Sequence, residues 1–371
     1  MERQPASRLA RGRVRRRKTL AQANLGLRLC HVNLSKELRG GETQLLVLME
    51  ILAGRYRQSV VVRRQARLHA KLEREGMPGL EVIPVANSVF AAVRAVRGMD
   101  LIHVHEGRSV QVGAVRSLLG TPFIVTRRVL NRPGSNAATR WCYARAAAVV
   151  GVSEAVSRVM RDYLGRDDVE TILDCTSRIS VDADHARALR ARYPGKLVIG
   201  HVGELDDRHK GQSIILEAAR RAKSAAPNLV FLLVGSGRDE AALRAAAKDL
   251  DNVEFTGRVD SVGDYYAAMD VFVFPSREEA LGSAILEAMS CGVPTVAAAV
   301  GGIPEVVKAN ENGFLFESGN AGQLFERIVA LAHDGALRAR LAEGARATAS
   351  ARSAELVADA YASLYERVLA G

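Results

Sequence analysis

Two glutamates, Glu279 and Glu287, stand eight positions apart on either side of Gly282. A short apolar run precedes the first, and a helix-like segment starts at Ser283, so the pattern predicts a strand, a loop and a helix. The amides of Leu281, Gly282 and Ser283 open that helix, and helix N-termini attract phosphate. A carboxylate can accept hydrogen bonds from two adjacent sugar hydroxyls. The spacing favours one elongated ligand with a central phosphate and hydroxyls at both ends, although solvated helix glutamates have the same spacing.

The elements that must hold this loop alternate between short apolar runs and amphipathic segments from Leu27 onward, and the pattern restarts near Tyr193–Gly195. Such alternation is typical of a parallel sheet covered by helices on both faces. The predicted strands are Arg28–Ser35, Ser59–Arg64, Leu80–Val85, Leu101–Glu106, Pro122–Arg128, Ala147–Ser153, Lys196–Gly203, Leu229–Gly235, Val253–Gly257, Val271–Ser276 and Pro294–Val300. We therefore expect an α/β fold with two Rossmann-like halves that bind ligands beyond the carboxyl ends of their strands.

The same patterns divide the chain into four segments. Residues 1–24 form a basic tail that we expect to be disordered. Residues 25–185 form an N-terminal Rossmann-like domain, and residues 196–350 form a second one. Residues 351–371 form a C-terminal helix, which we expect to pack back on the N-terminal domain.

The amino-acid composition limits the class of protein to which the chain can belong and the kinds of partner that it can bind. The chain has 371 residues, 48% of them hydrophobic and 25% charged, as in soluble globular proteins, and no apolar run approaches the length of a membrane span. Its four cysteines lack metal-ligand spacing, which predicts free thiols in a reducing cytoplasm. Through Gly195 there are 34 basic and 17 acidic residues, whereas the remainder has a net charge of −6. The basic first half predicts an anionic partner, and the few, scattered aromatic residues argue against nucleic acid.

The two glutamates belong to a longer ordered set. The pattern S-x-x-E-x-x-G-x-x-x-x-E-A-M-x-x-G-x-P-x-V starts at Ser276, and Gly301–Glu305 and Asn312-Gly313 follow it. This set resembles the donor-site signature of family 4 retaining glycosyltransferases, which have the GT-B architecture of two facing Rossmann-like domains with the active site between them. The resemblance implies that Glu287 binds the nucleotide ribose and that Glu279 contacts the donor sugar. Glu278 is then a surface neighbour.

A second segment, HVGELDDRHKGQ at residues 201–212, resembles the family's G-R-x-x-x-x-x-K-G loop, where an arginine and a lysine neutralise the donor diphosphate. Lys210 and Gly211 match, but Glu204 stands where the family has arginine. Because cations facing the leaving phosphates are the main electrostatic help for this reaction, Arg208 is our candidate to restore the missing charge. Without compensation, the chain would be a slow enzyme, prefer an unusual donor or be a non-catalytic relative.

The resemblance extends to other glycine-rich turns. Gly235-Ser236-Gly237 is similar to the family's nucleotide-side turn, and Arg258-Val259 falls where the family holds the base. Gly40-Gly41 is similar to the family's glycine loop that faces the transferred sugar and its phosphates. A tight turn alone also explains Gly40, and solvation alone also explains Arg258.

His103-Val104-His105-Glu106 ends a predicted strand and resembles the family's H-x-H-E-type segment. Alternate residues of a strand point the same way, so the two histidines share one side. The resemblance places His105 beside the reacting sugar, and we expect His103 to pack within the sheet. We expect no metal, because no further ligand has suitable spacing. Arg127-Arg128 ends another strand and suits an anionic acceptor or simple solvation.

Together these resemblances imply a retaining, metal-independent glycosyltransferase without a cofactor, which uses a nucleotide-sugar donor and a lipid-linked or cell-surface glycan acceptor. The segments H-V-N-L-S-K-x-x-R-G-G-E and V-T-R-R resemble those of surface-polysaccharide members, which implies lipopolysaccharide core or polysaccharide synthesis. The basic half predicts a cytoplasmic protein in peripheral contact with an anionic membrane. The alternatives are a non-catalytic nucleotide-sugar-binding protein of the same fold and a sugar-nucleotide epimerase.

Overall fold

The computed structural model describes residues 26–176 and 179–371; the predicted basic tail lies outside the described residues. Within them, the first sheet has seven parallel strands, β1 (Arg28–Asn33), β2 (Arg57–Arg63), β3 (Leu80–Val85), β4 (Leu101–Val104), β5 (Phe123–Arg127), β6 (Ala148–Gly151) and β7 (Glu170–Thr171). Their order is β3-β2-β1-β4-β5-β6-β7. All carboxyl ends therefore lie at one edge of the sheet.

The second sheet has six parallel strands among the described residues, β8 (Leu197–Val202), β9 (Leu229–Val234), β10 (Val253–Gly257), β11 (Val271–Phe274), β12 (Thr295–Ala298) and β13 (Gly313–Phe316). Their order is β10-β9-β8-β11-β12-β13. In each sheet the chain order reverses beside the first strand, β1 or β8, which is the position where open α/β sheets bind ligands.

The helices of the first half are α1 (Gly40–Ile51), α2 (Arg67–Glu75), α3 (Val89–Ala95), α4 (Val110–Ser117), α5 (Ala137–Ala144) and α6 (Glu154–Leu164). The later helices are α7 (Ala183–Ala191), α8 (Asp207–Lys210), α9 (Gln212–Ala225), α10 (Glu240–Ala246), α11 (Val262–Ala268), α12 (Ser283–Ser290), α13 (Ile303–Val306), α14 (Ala321–His333), α15 (Gly335–Ser350) and α16 (Ala354–Ala370). None of these helices combines the length and the apolar content needed to cross a bilayer.

All eleven predicted strands are present, and most are one or two residues shorter than predicted. Two strands were not predicted. β7 has only two residues, and β13 starts at Gly313, inside the Asn312-Gly313 pair that has the composition of a turn. β13 pairs with β12 in register from Thr295↔Gly313 to Ala298↔Phe316, so sheet pairing outweighs the local turn preference.

The last helix, α16, packs against the first half of the chain although it follows the second. Its Tyr361 and Tyr365 are fully buried in a cluster with Leu29, Leu48 and Ile124. Burying such aromatic side chains removes about 150–250 Å² each from water, which is a strong drive for the helix to return to the first sheet.

Candidate active site

The loop between β11 and α12 has the geometry that its glycine requires. Gly282 precedes the helix with φ 89° and ψ 65°, in the left-handed region that favours glycine. The helix starts at Ser283, as predicted, and ends before Gly292, whose φ is +77°. The first amides of α12 therefore point toward the carboxyl edge of the second sheet.

Lys210 and Glu279 form an ion pair at this edge, with 2.6 Å between Lys210 Nζ and Glu279 Oε2. The two residues meet because Gly211 lets the loop approach the end of β11: a Cβ at Gly211 would lie 2.3 Å from the Pro275 carbonyl oxygen. Both side chains are half-buried, whereas Glu278 is exposed. In this state the lysine has a carboxylate partner that an anionic ligand would displace.

Glu287 faces inward from the second turn of α12. The Tyr266 hydroxyl donates a hydrogen bond to Glu287 Oε2 at 3.1 Å. Burial raises the pKa of Tyr266 well above its usual range, and the Glu287 charge adds to the rise. The tyrosine therefore stays a donor and holds the carboxylate in place.

Glu204 faces a cation of the other half of the chain. Arg39 Nε lies 3.9 Å from Glu204 Oε2, and both side chains are exposed. Arg39 directly precedes α1, and its backbone amide donates to Glu42 Oε2 at 2.9 Å. Arg208 is also exposed, but it makes no ion pair with any described residue. Sequence reasoning missed Arg39, whose only local signal is its position next to Gly40.

The N-termini of α1 and α12 face each other across the two halves. A Cβ at Gly40 would lie 3.3 Å from Ser283 Oγ, and a Cβ at Gly41 would lie 3.4 Å from Arg128 Cδ. Two helix N-termini concentrate unpaired amides and positive dipole ends in one place. This arrangement can bind an anion between the halves.

Gly235 lies against the backbone of two other loops of the second half, at Gly203 and at Gly257. Its φ is +134°, and a Cβ there would lie 2.0 Å from the Gly203 carbonyl oxygen. Its amide donates to the Gly257 carbonyl at 3.0 Å. Arg258, which follows Gly257 in the chain, is exposed, and Val259 is half-buried against the core. Close backbone approach explains Gly235, and its nucleotide-side role stays a prediction.

Three buried histidines line the carboxyl edge of the first sheet: His31, His103 and His105. Arg128 can only donate, so its bond of 3.1 Å makes His105 Nδ1 an acceptor. His105 Nε2–H then donates to His31 Nδ1 at 3.0 Å, and His31 Nε2–H donates to Gln58 Oε1 at 3.1 Å. One arginine thus assigns the tautomers of two rings.

His103 is bonded on both sides, to Tyr365 Oη at 2.8 Å and to Thr126 Oγ1 at 2.7 Å. Burial lowers the pKa of His31 to about 4 and lowers the pKa of His103 and of His105 well below the usual value. One nitrogen of each ring lies within 4.8 Å of the others, a spacing close to that of a metal site. All six ring nitrogens nevertheless have partners, and the Arg128 cation beside His105 would oppose a divalent ion.

Arg128 itself forms a buried ion pair, with its Nε 3.2 Å from Asp174 Oδ1. Burial alone would lower the pKa of Arg128, but the Asp174 carboxylate raises it above its ordinary value. The neighbouring Arg127 is also buried and donates to Tyr143 Oη at 3.3 Å and to the Asn131 carbonyl. Both arginines are thus engaged inside the first half.

Two family models match these two halves. The model described as Glycosyltransferase Family 4 matches residues 32–173, and the model described as Glycosyl transferases group 1 matches residues 196–334. A phosphatidyl-myo-inositol mannosyltransferase of Mycobacterium leprae is 30% identical over 261 residues, which cover 67% of this chain and 68% of the relative. The chain belongs to glycosyltransferase family 4.

Two other matches bear on this family 4 protein. A lipopolysaccharide core biosynthesis glycosyltransferase of Rhizobium meliloti, LpsE, is 33% identical over 171 residues, 45% of this chain and 49% of LpsE. The structure of Anabaena HepE in complex with UDP aligns with a TM-score of 0.82 at 23% identity, over 92% of this chain and 100% of HepE. That likeness, with the two parallel sheets, confirms the predicted GT-B fold.

In this family 4 chain, the GGIPE segment at residues 301–305 joins the two halves. Glu305 accepts hydrogen bonds from the amides of Glu154 at 2.8 Å and Ala155 at 3.0 Å, and so caps α6. A Cβ at Gly302 would lie 2.7 Å from Ser153 Cβ. Sequence reasoning included Glu305 only as part of the signature, because its partners lie about 150 residues away.

His31 and Gln58 were also missed. His31 lies on β1 opposite His103 on β4, and this pairing brings the third imidazole to the other two. The strand β1 was predicted, but the register between strands has no signal in a single sequence. The cluster is therefore a product of sheet pairing.

Proposed function

We propose that the protein is a retaining, metal-independent glycosyltransferase that moves a sugar from a nucleoside-diphosphate sugar to a lipid-linked or cell-surface glycan acceptor. The observation that carries this proposal is the approach of Gly40 to Ser283, which brings two helix N-termini together beside the Lys210–Glu279 pair. A diphosphate has the charge and size to occupy that position.

In the proposed reaction, negative charge builds on the leaving diphosphate as its bond to the sugar breaks. Lys210 and the first amides of α12 stabilise that charge. Glu279 moves from Lys210 to hydroxyls of the donor sugar, and Glu287, held by Tyr266, binds the ribose. A departing phosphate oxygen accepts the proton of the acceptor hydroxyl, which attacks from the same face and so retains the anomeric configuration.

On the acceptor side, His105 lies beside the reacting sugar in its neutral form. Its low pKa keeps the imidazole uncharged. Its Nδ1 and Nε2 are fixed by Arg128 and His31, so the imidazole is held in one orientation. We infer no metal in this step, because the cations and amides around the cleft supply the positive charge.

The acceptor class rests on two relatives and on charge. The Mycobacterium leprae relative is named for phosphatidyl-myo-inositol and the Rhizobium meliloti relative for lipopolysaccharide core, and both names refer to a lipid-containing molecule. The first half of this chain, which faces the acceptor in our proposal, has a net charge of +17 through Gly195. A peripheral position at an anionic leaflet brings such a domain to its substrate.

Thermal unfolding with UDP, GDP, ADP or CMP tests the donor site. One nucleotide should raise the melting temperature, because a ligand at 100 times its Kd adds about 2.7 kcal/mol to the free energy of unfolding. Glu287→Ala should abolish the shift, and the matched control Glu278→Ala, one position from Glu279, should keep it. A transfer assay with the corresponding sugar nucleotide then gives the anomeric configuration of the product by NMR.

Each outcome decides between functions. Transfer with retention supports the proposal. A rise in melting temperature with a nucleotide, but with neither transfer nor cleavage of the sugar, favours the non-catalytic binding protein. Conversion of the sugar nucleotide without an acceptor favours an epimerase. No shift with any nucleotide contradicts the donor site itself.

A further inference from the structure

The helices α3, α4 and α5 lie side by side on one face of the first sheet. α3 contacts α4, and α4 contacts α5. Arg145, at the end of α5, donates from its Nε to Ser117 Oγ at the end of α4, with 2.9 Å between the two atoms. The ends of α4 and α5 therefore form one continuous surface.

Apolar side chains are exposed on this surface. Leu118 is 58% exposed, Leu119 is 66% exposed and Trp141 is 45% exposed. Six of the eight large apolar side chains that are exposed among the described residues lie between Phe90 and Trp141. Leu118 and Leu119 stand at the end of α4, just before Gly120 with φ +83°, so they project from a helix end.

The charge of this surface has one sign. Between Ala86 and Ser153 the chain has nine arginines, of which Arg127 and Arg128 are buried, and only two acidic residues, Asp100 and Glu106. Asp100 is already paired with Arg28, and Glu106 accepts hydrogen bonds from Ser109. Exposed acidic side chains are therefore scarce between the arginines of these helices.

The exposed arginines of this surface also lack carboxylate partners. Arg94, Arg97, Arg140 and Arg145 make no ion pair with any described residue, and Arg145 instead lies 5.4 Å from the centre of the Trp141 ring. Several arginines on other helices pair with nearby acids; examples are Arg187–Asp184, Arg220–Glu217 and Arg244–Glu240. The guanidinium groups here are available to an external anion.

We propose that this surface docks on an anionic lipid bilayer; the choice of a lipid partner rests on the proposed function. We name it the docking face and define it by Arg94, Arg97, Leu118, Leu119, Trp141 and Arg145. The leucines and Trp141 enter the interfacial layer, where an indole ring is favoured, and the arginines bind lipid phosphates. A projecting helix end suits a bilayer better than a protein groove, and arginines without acidic neighbours suit a surface of uniform negative charge.

Fluorescence of Trp141 tests the docking face directly, because it is the only tryptophan of the chain. The full-length protein is titrated with vesicles of phosphatidylglycerol and phosphatidylcholine, and separately with pure phosphatidylcholine. We expect a blue shift with the anionic vesicles alone, quenching by lipids brominated in the upper acyl chain, and weaker binding at high salt.

Two double variants separate the apolar and charged parts. Leu118→Ser with Leu119→Ser should weaken vesicle binding at least roughly tenfold. Arg94→Gln with Arg97→Gln should weaken it about 25-fold, since one arginine near an anionic surface changes binding about fivefold. The matched controls are Leu356→Ser, an exposed leucine on α16, and Lys248→Gln, an exposed cation of the second half; both should bind like the wild type.

The outcomes are distinct from those of the donor-site test. If the protein sediments with anionic vesicles but brominated lipids leave Trp141 unquenched, another surface binds the membrane and the proposal is wrong. It is also wrong if neither double variant weakens binding, or if the vesicles do not bind at all. Preferential binding of RNA over vesicles, lost in Arg94→Gln with Arg97→Gln, would identify a nucleic-acid surface instead. The thermal shift with nucleotides is independent of all these results.

Discussion

The charged groups at the carboxyl edges of the two sheets differ in their burial and in their partners. At the second sheet, the charged groups are partly exposed, and Lys210 pairs with a carboxylate that a ligand displaces. At the first sheet, the Arg128–Asp174 pair is buried, and a neutral chain of His105, His31 and Gln58 extends from it. The second edge can exchange partners, whereas the first is already internally satisfied.

This difference has a physical reason. A buried charge without a partner costs several kcal/mol, so every group at the first edge needs a fixed partner within the protein. A partly exposed charge keeps some of its solvation in the absence of ligand and loses less than a fully buried charge when its partner moves. The comparison teaches that one edge positions groups and the other binds a charged ligand, and the changes below test this division.

The largest effect on stability is expected for Arg128→Leu. It leaves the Asp174 carboxylate buried without a partner, and we expect the free energy of unfolding to fall by about 3–5 kcal/mol. Urea denaturation measures the change. Arg187→Leu removes an arginine from an exposed ion pair and should have no measurable effect.

A double variant distinguishes the loss of the charge pair from a simple loss of packing. Arg128→Leu combined with Asp174→Leu removes both charges, so it should be more stable than Arg128→Leu alone. Equal or lower stability of the double variant would mean that the first edge does not depend on charge pairing.

The next effect is expected on catalysis. Lys210→Met keeps the length of the side chain but removes the charge that faces the leaving diphosphate, and we expect kcat to fall about 10²–10³-fold. Because the Lys210 side chain is still partly exposed, the melting temperature should change less than in Arg128→Leu. Steady-state kinetics measures the loss, with Lys248→Met as the control. A normal kcat would remove Lys210 from the proposed mechanism.

A smaller effect is expected from pH. Burial lowers the pKa of His31 and of His201 to about 4, below the ordinary value near 6.5, and lowers those of His103 and His105 as well. Between about pH 4 and pH 6.5, the unfolded chain binds protons at these histidines that the folded protein does not bind. The free energy of unfolding should therefore fall as the pH falls from about 6.5 toward 4, by at most about 1.4 kcal/mol per pH unit for each histidine.

Urea denaturation at pH 7.5, 6.5 and 5.5 measures this slope. His201→Gln removes the one such histidine of the second half, and His31→Gln removes one of three in the first half. Each substitution should reduce the slope of the free energy of unfolding against pH by the contribution of one proton. An unchanged slope in both variants would show that these rings are not kept neutral by burial.

The smallest effect concerns the cation that compensates for Glu204. Arg39→Ala leaves Glu204 unpaired at the cleft, so we expect the KM for the donor to rise several-fold, and Glu204→Gln in the same chain to reverse most of the rise. Arg208→Ala should change KM less, because Arg208 faces no described carboxylate. A larger effect of Arg208→Ala would make Arg208 the compensating cation, as the sequence suggested.

Much of the fold could be predicted from the alternation of apolar runs and helical segments. The helix start at Ser283 and the Gly282 turn followed from local residue types, since a left-handed residue before a helix favours glycine. β13 could not be predicted this way, because Asn312-Gly313 has the composition of a turn and pairing with β12 decides its conformation. The pairing of Lys210 with Glu279 and of Arg39 with Glu204 was equally absent from the sequence, because it joins residues 69 and 165 positions apart.

The sequence by itself determined the family signature around Glu279 and Glu287, the two α/β halves and the basic first half of this protein. These are properties of neighbouring residues and of composition, and they need no knowledge of distant contacts. The tertiary structure alone decided that Arg39 faces Glu204, that Glu305 caps α6 and that His31 completes the histidine cluster. Such contacts depend on strand register and on the packing of one half against the other, and both are set by the burial of side chains from remote parts of the chain.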